Sequence, residues 1–110
     1  SREIIMGLQK RFLKSKPIGK VTFRLPKEAV ADATTVNLVG EFNDWDKMAL
    51  PMTQLKNGEF KVTIDLPVGR EYQFRYLINK ATGVTWENDW AADKYAPSGF
   101  SGAENSVLVL

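Results

Sequence analysis

The sequence predicts an all-β protein, an antiparallel β-sandwich with a short N-terminal helix. Three observations lead there. Apolar and polar residues alternate with a period of two in several runs, as in strands with one buried face. Turn signals such as Asn57-Gly58 separate these runs at short spacing. A length of 110 residues suits one domain with a core of its own, and neither an internal repeat nor a linker divides it.

Residues 1–14 depart from the two-residue period. Ile4, Ile5, Leu8 and Phe12 fall at roughly helical spacing, with Lys10, Arg11 and Lys14 elsewhere around the wheel. A short amphipathic helix is expected there, ending before Pro17. Such a helix is marginal alone and must dock or fray. Residues 1–16 are read as this arm, with the residues before Met6 carried over from an expression vector, and residues 17–110 as the globular domain. After Gly19, Val21, Phe23 and Leu25 alternate with Lys20, Thr22 and Arg24 in a half-buried strand closed by Pro26. Residues 35–39 form the next strand, and Gly40-Glu41-Phe42-Asn43-Asp44-Trp45 is the turn at its end. Asn57-Gly58 joins the segment 52–55 to a strand over residues 60–66, where Phe60, Val62, Ile64 and Leu66 share one face. Pro67-Val68-Gly69 leads into a further strand, in which Tyr72, Phe74, Tyr76 and Ile78 alternate with Gln73, Arg75, Leu77 and Asn79. Phe42, Phe60, Phe74 and Tyr76 belong to the core. A loop rich in Gly, Ala, Asp and Trp is expected from about Lys80 to Asn105, and residues 106–110 close the chain as a strand.

Composition narrows the function. An apolar fraction of 44% and a charged fraction of 25% are those of an ordinary globular domain. The apolar runs are too short for a membrane-spanning helix, and Arg2 and Glu3 precede a mixed segment, not the apolar centre of a signal peptide. The expected location is cytoplasmic. Cysteine is absent, which excludes disulfides and thiolate metal sites. Histidine is absent too, and with it the commonest general base and metal ligand. The net charge of +2 is unevenly spread: residues 1–27 hold eight Lys and Arg against Glu3 alone. A basic arm of this kind meets nucleic acid or an anionic membrane, or is simply a solvated tail. The second reading is preferred.

No catalytic constellation emerges. The carboxylate pairs Asp44 with Asp46 and Glu87 with Asp89 lie in charged loops, where such groups are usually solvated or cap local amides. There is no phosphate-binding glycine loop and no calcium-loop spacing. The expectation is a protein that is not an enzyme and carries no cofactor or metal. What stands out is tryptophan in polar surroundings, at Trp45, Trp86 and Trp90. An indole on a loop is a flat apolar plate for a flat ligand. Single-stranded nucleic acid stacks on such plates. Here Asp44, Asp46, Glu87 and Asp89 flank them and repel phosphate. A sugar escapes that repulsion, offering C–H faces to indole and hydroxyls to Asn, Arg and Glu.

Four segments then carry a resemblance: Gly40-Glu41-Phe42-Asn43-Asp44-Trp45, Asn57-Gly58-Glu59-Phe60, Leu66-Pro67-Val68-Gly69 and Tyr72-Gln73-Phe74-Arg75-Tyr76. Their order and spacing, from about Val21 to Leu110, resemble the family 48 carbohydrate-binding modules. These are the isoamylase early-set domains, relatives of the glycogen-binding domain in the β subunit of AMP-activated protein kinase. Trp86-Glu87-Asn88-Asp89-Trp90 and Gly102-Ala103-Glu104-Asn105-Ser106-Val107 look like the small stand-alone bacterial members. The resemblance implies an immunoglobulin-like sandwich that binds α-1,4-glucans such as glycogen or starch. It places Trp45 and Trp86 as stacking residues, and Arg75 and Asn105 as contacts to sugar hydroxyls. Asn43 and Trp90 are weaker candidates. Two departures stand out: Ser101 and Ala103 replace a leucine wedge and a threonine of the kinase members, and the turn over residues 80–84 is longer than theirs.

Each role has a structural alternative. Trp45 caps one end of the core, Trp86 is the buried tryptophan common in sandwiches, and Trp90 packs. Arg75 pairs with a cross-strand acid such as Asp65, and Asn105 forms a turn. A rival function also follows: a protein-interaction or scaffolding module without free-glycan binding, which recruits a glycogen-metabolising enzyme or forms a homodimer through the basic helix or an edge strand.

Overall fold

The computed structural model describes residues 7–99 and 102–110. Among these, nine strands form two antiparallel sheets that enclose one core. The first sheet holds, in spatial order, β1 (Gly7–Phe12), β2 (Ile18–Leu25), β5 (Phe60–Pro67) and β4 (Thr53–Gln54). The second holds β3 (Ala33–Gly40), β6 (Glu71–Lys80), β9 (Glu104–Val109) and β8 (Lys94–Pro97), with β7 (Gly83–Glu87) also paired to β6. The fold is thus an all-β sandwich, as the period-two runs predict. Among the described residues no helix is long and apolar enough to cross a membrane.

The alternation becomes the core directly. Val21, Phe23, Leu25, Phe60 and Leu66 from one sheet meet Val36, Leu38, Tyr72, Phe74, Tyr76, Ile78 and Leu108 from the other. Phe74 lies edge-on to Phe23 and Tyr76, with ring centroids 5.1 and 5.7 Å apart, a geometry that adds to the gain from burial. Phe42 is half-buried and joins this cluster 5.8 Å from Phe23.

Among the described residues the N-terminal helix is not found. Gly7–Phe12 is a strand in register with β2, Gly7 opposite Arg24 and Phe12 opposite Gly19. Two physical reasons account for it. Gly7 has φ +115°, outside the helical region, and a short isolated helix cannot compete with a ladder of backbone hydrogen bonds. In strand geometry Leu8 packs on the core and Lys10 crosses to the other sheet, bonding Asp93 at 2.7 Å and the Val109 carbonyl at 2.9 Å. Ile4, Ile5 and the rest of the segment before Gly7 lie outside the described residues. Three of the cations in residues 10–24 are engaged in ion pairs, Lys10, Lys20 and Arg24 with Asp93, Asp65 and Glu59.

The long loop after β6 is also replaced, by β7, β8 and an earlier start of β9 at Glu104. Residues 83–86 of β7 are all exposed and β8 is mostly so. Strands without a buried face carry no alternation to read. Lys80 pairs with Gly83, so the expected 80–84 turn is a tight β6–β7 hairpin.

Candidate functional site

The outer face of the second sheet is built by the residues that alternate away from the core. Cross-strand partners share a face, so Val39 opposite Arg75, Leu77 opposite Trp86, and Gln73 opposite Val107 all point outward. Val39, Leu77 and Val107 are buried there, apart from the main core cluster. On the same face lies an open depression of about 610 Å³ lined by Glu41, Trp45, Lys47, Gln73, Arg75, Trp86, Ser98 and Asn105.

Trp45 is held by an unusual turn. A 3-10 turn over Glu41–Asn43 follows β3, and then Asp44 and Trp45 adopt φ +54° and +58°. Left-handed backbone is a genuine outlier for a bulky residue. It persists because the turn is braced: Asn43 Oδ1 accepts from Gly40 N–H at 3.1 Å, Asn43 Nδ2 donates to the Leu38 carbonyl at 3.0 Å, and Trp45 N–H donates to the Gly40 carbonyl at 2.9 Å. Gly40 permits the close approach, since a Cβ there would lie 2.7 Å from the Gln73 carbonyl oxygen and from Phe74 Cβ. Asn43, a weaker binding candidate in the sequence, therefore braces the turn that presents Trp45.

Arg75 occupies a gap. β9 pairs with β6 up to Phe74, and β7 pairs with it from Tyr76 onward, so Arg75 falls between the two on one edge. Its Nε–H donates to Asn105 Oδ1 at 2.6 Å, and Asn105 Nδ2 donates to Gln73 Oε1 at 2.9 Å. The pairing of Arg75 with Asp65 is not found, because Asp65 lies on the other sheet and bonds Lys20. Asn105 is not a turn residue either, but a buried member of β9 opposite Ala96. Glu41 accepts the Gln73 N–H at 2.6 Å, which ties the turn to β6. Lys47 Nζ lies 5.8 Å from the Trp86 ring centroid.

Trp45 and Trp86 are 37% and 41% exposed, so neither is a core tryptophan. Trp45, Trp86, Arg75 and Asn105 thus come together from four separate segments, and Trp90 and Asn43 do not line the depression. Trp90 is 51% exposed. Glu41, Lys47, Gln73 and Ser98 were not foreseen as lining residues. Gln73 had a readable signal, since it shares Arg75's face two positions earlier; Lys47 and Ser98 had none.

A family model described as carbohydrate-binding module 48 (isoamylase N-terminal domain) matches residues 15–96, well over half of the chain. The chain belongs to this family. Family 48 modules are non-catalytic binding modules, which makes a glycan the partner class of the module. Among the described residues no group of three or more His, Cys, Asp or Glu is placed to hold a metal ion. Ser101, one of the two departures from the kinase members, lies outside the described residues.

The carboxylates divide. Asp46 caps the Met48 amide at 2.8 Å, as expected of a loop carboxylate. Asp89 does not stay solvated; it is fully buried, accepting from Tyr76 Oη at 2.7 Å and from Ala91 N–H at 2.8 Å. Burial raises its pKa above the ordinary carboxylate value, opposed by those two hydrogen bonds and aided by the nearby charge of Asp93. Burial and the Asp89 charge together push the Tyr76 hydroxyl well above its usual pKa. Asp89 is turned into the sandwich, away from the depression, and acts in structure.

Proposed function

We propose that the module binds α-1,4-glucan chains, such as those of glycogen or starch, in the depression on its second sheet. Trp45 and Trp86 stack on glucose units, and Arg75 and Asn105 orient hydroxyl groups. The observation that carries this reading is the convergence of two half-exposed indoles and a hydrogen-bonded Arg75–Asn105–Gln73 row around one depression. A pyranose needs both surfaces, an apolar plate for its C–H face and fixed polar groups for its rim. With Nε engaged by Asn105, the guanidinium is oriented in advance and its other N–H donors serve the sugar. Glu41, Lys47 and Arg75 bring both signs of charge to the lining, which suits a neutral ligand better than a polyanion.

Affinity for a flexible chain on an open surface is expected in the roughly micromolar to millimolar range. Titration of maltoheptaose with tryptophan fluorescence tests the reading. The wild-type emission responds saturably, and Trp45→Ala loses about 2 kcal/mol or more of binding, as anchoring aromatics do. No response at millimolar sugar, or an unchanged one in Trp45→Ala, would refute it. The rival protein-docking role loses its proposed helix, because Gly7–Phe12 is a strand of the first sheet.

A further inference from the structure

The edge of β6 that carries the site is divided. Trp86 stands on β7 and Asn105 on β9, and among the described residues no backbone ladder joins these two strands. Side chains join them instead. Asn88, one residue past β7, donates Nδ2–H to the Glu104 carbonyl at 3.0 Å and accepts from Ser106 Oγ at 2.8 Å. Ser106 Oγ in turn accepts the Asp89 N–H at 2.9 Å. Asp89 runs on into the sandwich, where Tyr76 Oη reaches its carboxylate and Tyr95 Oη reaches its carbonyl at 2.6 Å. Ser106 and Asp89 are both fully buried.

Successive residues of β9 face opposite ways, so Asn105 addresses the depression while Ser106 addresses this inner network. We propose that Asn88, Ser106 and Asp89 are positioning residues that fix Trp86 relative to Arg75 and Asn105. The proposal rests on the glucan-binding reading of the depression. Its logic is geometric. A buried polar network has few alternative arrangements, so it sets the separation of the strand ends it joins. Without it, β7 is held to β6 on one side only, and the Trp86 plate is free to shift. A ligand that spans both tryptophans depends on their spacing; a ligand that occupies one of them does not.

The signature of the network is therefore the gain in affinity with chain length. Maltose and maltoheptaose are titrated against the wild type, Ser106→Ala and Asn88→Ala, each shown by circular dichroism to be folded at the working temperature. Removing the network should lower maltoheptaose affinity about fivefold, the net worth of a hydrogen bond, and leave maltose affinity within about twofold. Equal losses for both sugars, or an unchanged gain with chain length, overturn the proposal. If Ser106→Ala fails to fold, Asn88→Ala decides, since its side chain is only half-buried. The ligand-free ¹H–¹⁵N spectrum supplies the second readout. The Trp86 indole resonance should move or broaden in both variants, and an unchanged resonance counts against the network. If the wild type binds neither sugar, the glucan reading fails, and the indole resonance alone tells whether the network places Trp86.

Discussion

Asp44 and Trp45 hold left-handed backbone in succession, a conformation that costs about 1–3 kcal/mol at each non-glycine residue. Such strain survives only where neighbours over-determine it, and the Asn43 and Gly40 hydrogen bonds do so here. The result is an indole lifted clear of the core and fixed at the rim of the depression. Trp86 is covered differently, by the Lys47 ammonium near its ring. A cation over an exposed aromatic face is worth about 0.5–1 kcal/mol. A glucose unit stacking on that face must displace it. Lys47→Ala should therefore strengthen maltoheptaose binding about two- to fivefold by calorimetry. Weaker binding would show that Lys47 contacts the sugar instead of competing with it. The sequence alone indicated Trp45 as a plate in a polar turn, but not that its backbone is strained. Nor did it reveal that Asp89 is buried, because a loop of charged residues gives no sign of which one turns inward.

At the scale of elements, the strands that were legible are those with one buried face. In β2, β5 and β6 the apolar residues alternate over most of the strand, and their placement in the core follows from that alone. β1, β7 and β8 were missed for a related reason: β7 and β8 are exposed along most of their length and β1 along half of its own, so their pairing is set by neighbours and not by their own pattern. In residues 1–14 four apolar residues even mimicked helical spacing. Hydrogen exchange separates the two readings of this segment. Amides of Gly7–Phe12 that donate to β2 should be protected in alternation, with unprotected neighbours between them. A helix would protect consecutive amides. The ion pair from Lys10 to Asp93 joins the edges of the two sheets, which explains why a strand with one paired neighbour is held in place. Arg75 and Asn105 were indicated by family resemblance, whereas the gap between β7 and β9 that brings them into contact is a property of the assembled sheet.

For the whole molecule, the sandwich separates the candidate site from the fully buried polar groups by its faces. One face of the second sheet carries the depression; the interior carries the buried Tyr76–Asp89 pair. That pair links stability to pH. Burial raises the folded-state pKa of Asp89 above its unfolded value, so the folded protein holds the proton more tightly. Its favourable contribution is complete below the unfolded pKa of about 3.9 and is lost as pH rises through the raised folded value. Of the groups that face its carboxylate, the Tyr76 hydroxyl and the Ala91 amide oppose this rise, and the charge of Asp93 adds to it. Urea unfolding of the wild type and Asp89→Asn at several pH values checks this. The wild-type stability relative to the variant should fall as pH rises above about 4 and through the raised folded value, and a difference that stays level or grows would contradict it.

The central claim is that the depression on the second sheet is where a glucan binds, and mapping the contact by NMR tests it most directly. On titration with maltoheptaose, the indole resonances of Trp45 and Trp86, the Arg75 Nε–H and the Asn105 side-chain amide should shift together with one saturation curve. The Trp90 indole and the strands of the first sheet should stay in place. Shifts centred on Trp90 or on the first sheet, or none at millimolar sugar, would contradict the account.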